Sequence, residues 1–181
     1  MITRHDDIIK KSIGIYLVCL LLLGGLGYQL NLGMIGERIS SHFLEKVILR
    51  EIDKGPHNPN LYGLLGNIYY SKKNWPGVRD AWEKALTLDP DNADVLNNLA
   101  WHYATCDDKQ YQDPDRALAL ATLAVRLEDL PHIWDTLAES YYVNGMHGQA
   151  VEAARRALAL ARENRSYYVG QLEKFRKAGG F

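Results

Sequence analysis

His102 and Cys106 stand one helical turn apart, and Asp107 and Asp108 follow directly. That spacing brings an imidazole and a thiol to one side of a helix end, the start of a metal pair. A stable zinc site takes three or four ligands, more than this pair supplies, so no metal is expected. Other reactive signatures are missing from the sequence: it has no C-x-x-C-H haem attachment, no phosphate-cradling glycine loop, no nucleophile elbow and no H-E-x-x-H. His132 and His147 are isolated. The reading is of a protein that is not an enzyme, with no catalytic residue, no cofactor and no small-molecule substrate. A net charge of -1 over 181 residues also removes the basic face that nucleic acid requires.

The elements that position these residues emerge from self-similarity. Residues 59–92 read PNLYGLLGNIYYSKKNWPGVRDAWEKALTLDPDN. Tyr62, Leu65, Gly66 and Tyr69 mark a first helix, Trp82 and Ala85 a second, and Pro90 a stop, with Val78 where a smaller residue is usual. A second copy, 93–129, places Leu96, Leu99, Ala100 and Tyr103 on its first helix and Ala117, Ala121 and Ala124 on its second. Ala85 and Ala124 are 39 positions apart, and the excess over the first copy's period lies in CDDKQYQD, 106–113. Asp113 and Pro114 read as a cap and first helical residue. A third copy, 130–163, carries Trp134, Leu137, Ala138 and Tyr141, then Gly145 as a left-handed stop, then Ala150, Ala154 and Ala157. In this pattern the chain resembles the tetratricopeptide repeat (TPR) family.

That resemblance implies an all-α solenoid of about three helical hairpins with capping helices. Each hairpin leaves an apolar stripe that only a neighbour can cover. Residues 36–55, with Ile39, Phe43, Val47, Ile48 and Ile52 on one face, read as an amphipathic linker and N-terminal cap. Residues 164–181, with Tyr167, Tyr168, Leu172 and Phe175, read as the C-terminal capping helix and tail.

The family's first helices line a concave groove, and the resemblance assigns its positions here. They are Asn60, Gly63, Asn67 and Tyr70 from copy one, Asn97, Asn98 and Trp101 from copy two, and Asp135, Glu139 and Tyr142 from copy three. Amide side chains both donate to and accept from an extended peptide, and aromatic rings add contact area at low entropic cost. The chaperone-type dicarboxylate clamp is not expected: Asn67 and Asn98 match its asparagines, but Gly63, His132 and Thr136 stand at its basic positions. Charge is segregated, with thirteen acids against four bases in 80–139 and seven bases against two acids in 155–181.

The N-terminal region has a different character. Residues 13–28 include no charge and nine Leu, Ile or Val, which favours bilayer insertion by roughly 3–5 kcal/mol. The uncharged stretch continues to Gly36, so a transmembrane helix is expected over 12–35, after a short cytoplasmic N-terminus, 1–11. No small-x-small cleavage site follows it, and Val18 before Cys19 does not suit a lipoprotein signal. Arg4, Lys10 and Lys11 precede the span, which favours a cytoplasmic N-terminus and an extracytoplasmic repeat domain at a bacterial-type inner membrane. Gly24, Gly25 and Gly27 would allow close approach of another membrane helix. Two roles fit: an anchored scaffold whose groove recruits or assembles envelope proteins, or a permanent accessory subunit of a membrane complex such as a respiratory assembly. The expected partner is a protein in either case.

Overall fold

The computed structural model describes residues 33–180. The expected membrane span, with Gly24, Gly25 and Gly27, lies outside them except for its last three residues. Among the described residues no helix is long and apolar enough to cross a membrane.

These residues form α1 (Gly33–Lys54), α2 (Pro59–Ser71), α3 (Trp75–Leu88), α4 (Ala93–Thr105), a 3-10 turn (Lys109–Tyr111), α5 (Pro114–Leu127), α6 (Pro131–Val143), α7 (His147–Leu160) and α8 (Arg165–Gly179). The chain divides into two units, residues 1–50 and 51–181. Within α1, Ile48 is buried, while Phe43 and Val47 remain 48% and 38% exposed. The α1 helix closes where Gly55 N–H donates to the Glu51 and Ile52 carbonyls.

In the second unit the helices pair as α2/α3, α4/α5 and α6/α7, and α8 packs on α7. Local sequence sets each start. Asn58, Asn74, Asn92 and Asp113 accept hydrogen bonds from the backbone N–H groups of Asn60, Gly77, Val95 and Arg116, satisfying donors that a helix start leaves open. Prolines 59, 114 and 131 then occupy the first turns of α2, α5 and α6. The stop expected at Gly145 is present, with φ +72°.

Small residues sit where helices cross. Ala85, Ala117, Ala121, Ala124, Ala150 and Ala157 are fully buried. Three apolar clusters run along the stack. Val78, Trp82 and Ala85 meet Val95, Leu99 and Tyr103; Ala93, Leu96 and Ala124 meet Ile133; Leu137, Ala138, Ala150 and Ala154 meet Phe175. The missing Cβ is what lets Gly66 accept the Trp82 indole, since an added methyl would lie 2.3 Å from that ring. The long 106–113 connection folds back on the stack: Asp113 N–H donates to the Tyr103 carbonyl and the Gln112 amide to the Cys106 carbonyl.

Candidate binding trough

The first helices of copies one and two, α2 and α4, carry a line of amides. Asn97 Nδ2 donates to Asn98 Oδ1 at 3.4 Å, and Asn98 Nδ2 donates across the repeat boundary to Asn67 Oδ1 at 3.3 Å. Around this pair lies a cavity of about 220 Å³ lined by Asn67, Tyr70, Trp82, Asn98 and Trp101. Asn67 is exposed, and Tyr70, Asn98 and Trp101 are half-buried, so amide and ring edges face solvent together. Asn97 is 8% exposed, and its Oδ1 has no hydrogen-bond partner among the described residues. Asn60 is exposed at the start of α2. Gly63 is buried and presents its carbonyl to Trp82 Nε1 at 3.2 Å. Trp82, read from the sequence as a packing residue only, therefore also forms a wall of the cavity.

The third copy's positions do not continue the trough. Asp135 and Glu139 are only 4% and 6% exposed, because α8 lies against them. Tyr167 O–H donates to Asp135 at 2.7 Å, the Gln171 amide donates to the same carboxylate, and Lys174 pairs with Glu139. Tyr142 packs on Phe175 at 5.5 Å with the Lys174 ammonium over its ring. These three residues hold the C-terminal helix instead of facing an open groove. Burial pushes the Asp135 carboxyl up, against the opposing pull of its Tyr167 and Gln171 hydrogen bonds. The Tyr167 hydroxyl is pushed up to about 12 by burial and by the Asp135 bond.

Behind the trough, His102 is fully buried, and neither ring nitrogen has a hydrogen-bond partner among the described residues. The rings of Tyr70, Trp75, Trp82, Tyr103 and Tyr111 surround it at 5.5–6.4 Å. Burial pushes its pKa down. Cys106 is also buried, and burial raises its thiol pKa, so it remains a protonated packing group. Beside it lies a second cavity of about 280 Å³ lined by Tyr70, Ser71, Lys73, Trp75, Thr105, Cys106 and Asp107. Sequence reasoning missed this one. The available signal was Lys73, which stands in the turn of copy one where copy three has Gly145.

Comparison with known proteins bears on the repeats. No curated protein sequence matches the chain. Among solved structures, the type IV pilus biogenesis factor PilW is 16% identical with a TM-score of 0.62, covering 87% of this chain and 86% of that one. The first TPR domain of human RPAP3 is 21% identical with a TM-score of 0.60, covering 70% of this chain and 95% of its own. A thermophilic TPR protein of Thermus thermophilus is 17% identical at 0.60, covering 98% and 97%. These likenesses show the fold: an all-α, TPR-like solenoid. Residues 56–104, the segment that builds the trough, match the family model of the TPR repeat.

Proposed function

We propose that this protein is a membrane-anchored scaffold that holds an extended segment of another protein in the trough between α2 and α4, and so recruits or assembles membrane or envelope complexes. The observation that carries the reading is the Asn67–Asn98 amide pair flanked by Tyr70 and Trp101 around one accessible cavity. Amides there can exchange their mutual bond for bonds to a peptide backbone, and the rings supply apolar contact at the same place. The solvated-helix alternative does not call for two large rings beside paired amides. PilW's description as a pilus biogenesis factor is in keeping with an assembly role for this fold.

Anchoring rests on the uncharged apolar stretch of 13–28, with the repeats outside the cytoplasm by the balance of basic residues. Alkaline carbonate extraction tests it: the full chain stays with the membrane, and a chain lacking 1–32 is released. Release of both would end the anchoring proposal.

The trough is tested by placing a photo-crosslinking amino acid at Tyr70 or Trp101, and in a control at the exposed Leu123 of α5. Adducts to a defined protein from the first two positions but not from Leu123 support it. Equal adducts from all three would remove the trough from the account. Stoichiometric co-migration of the adduct partner with integral membrane subunits in mild detergent would favour the accessory-subunit form of the role.

A further inference from the structure

Apart from Lys73 and the Cys106 thiol, the second cavity is lined by acceptor oxygens and aromatic rings. The Ser71 hydroxyl donates to the Ile68 carbonyl at 2.8 Å, and the Thr105 hydroxyl donates to the Trp101 carbonyl at 2.7 Å. Both hydroxyl hydrogens are thus committed, and what each oxygen can still offer is a lone pair. Asp107 adds a carboxylate, 72% exposed. The walls are the rings of Tyr70 and Trp75, edge to face at 5.8 Å. Acceptor oxygens beside π-faces suit a group that only donates and carries positive charge.

The molecule already places such a group there. Lys73 Nζ pairs with Asp107 Oδ2 at 2.7 Å, a contact spanning 34 residues of sequence. Lys73 does this from a left-handed backbone, φ +55°. Its N–H bonds the Tyr70 carbonyl as Gly145 N–H bonds that of Tyr142, and Asn74 N–H bonds Tyr69 as Met146 N–H bonds Tyr141. The two turns are equivalent, and copy three fills the position with the glycine that this conformation favours. The left-handed conformation disfavours any side chain, so copy one retains a lysine at a position where backbone preference argues against it.

We propose that this cavity is a subsite for a cationic side chain, arginine or lysine, of the partner's extended segment, with Asp107 as counter-ion, Tyr70 and Trp75 as walls, and Lys73 as the built-in competitor for the carboxylate. The identity of the ligand as a peptide rests on the trough reading. The cavity shares the Tyr70 ring with the trough, so one strand can reach both. The charge balance of the sequence has the same sign: residues 80–139 hold thirteen acids and four bases. An anion would meet Asp107, with Lys73 alone among the lining residues to receive it.

The test uses the full chain labelled with nitrogen-15 and the four indole N–H resonances of its tryptophans, assigned by single Trp→Phe substitutions. The probes are the capped pentapeptide Gly-Gly-Arg-Gly-Gly and its Lys, norleucine and Glu counterparts. The Arg and Lys probes are expected to shift the Trp75 indole, and the norleucine and Glu probes to leave it in place. Lys73→Gly frees Asp107 and should tighten the cationic probes by about threefold, the worth of an exposed ion pair. Asp107→Asn should weaken the Arg and Lys probes by about threefold, with the Trp82 and Trp134 indoles unmoved as evidence of an intact fold. A Glu probe that shifts Trp75 and is lost in Lys73→Gly would overturn the assignment in favour of an anion site. A norleucine response equal to that of Arg would overturn it in favour of an apolar pocket, and silence at Trp75 would overturn it outright. The Trp101 indole reports the trough separately, so either site can fail alone.

Discussion

The indole N–H of Trp82 reaches back across the first hairpin to the Gly63 carbonyl at 3.2 Å, and it can do so only because Gly66 leaves the path open. One side chain thereby fastens α3 to α2 and forms a wall of the trough.

Gly66→Ala should therefore be costly. Its Cβ would fall 2.3 Å from the Trp82 ring, forcing the indole off both its packing and its hydrogen bond. Urea unfolding of the full chain should show a loss of about 2–4 kcal/mol. Gly170→Ala is the matched control: it lies inside α8 with nothing within 4 Å of an added Cβ, and it should gain about 0.5–1 kcal/mol.

Ala124→Arg tests the register of the stack. Ala124 is fully buried among Ala93, Leu96 and Ile133, an apolar cluster that offers a guanidinium no counter-ion. The loss should reach about 4 kcal/mol or more, visible as collapse of the far-ultraviolet helical signal on mild heating. An unchanged melting curve would mean that the α4/α5/α6 crossing is wrongly placed.

Acid should loosen the cage around His102. Its folded pKa lies below the ordinary 6.5 because burial opposes the cation. The unfolded chain takes up that proton first, so this contribution to stability is complete above 6.5 and is lost as pH falls through 6.5 toward the depressed folded value. His102→Leu should flatten the slope of stability against pH across that window. Asp135 acts with the opposite sign: its raised pKa makes the folded state the stronger proton acceptor, so its protonation supports folding as pH falls toward the ordinary 3.8. A His102→Leu chain with the parent's slope between pH 7 and 5 would exclude His102 as its source.

Much of this architecture was legible from short-range signals. Asp113 before Pro114 and the alanines at 117, 121 and 124 each act through their immediate neighbours, and a repeating pattern multiplies such signals. The juxtaposition of first-helix side chains was legible where adjacent copies present like residues, as with Asn67 and Asn98. It failed at Asp135, Glu139 and Tyr142 because their surroundings are set by α8, the helix beyond the last hairpin. A carboxylate on a first helix reads the same whether solvent or Lys174 lies against it. The second cavity was hidden for a related reason: Lys73 and Asp107 come from different hairpins, and only the stack brings their charges together.

The central claim is that the surface between α2 and α4 holds a partner. Affinity isolation of the full chain and its Trp101→Ala variant from native membranes tests it most directly, with helicity followed by circular dichroism. Trp101 is half-buried at the cavity, so the account predicts unchanged helicity and a partner yield lower by about tenfold or more. An undiminished yield, or helicity and partner lost together, would contradict it.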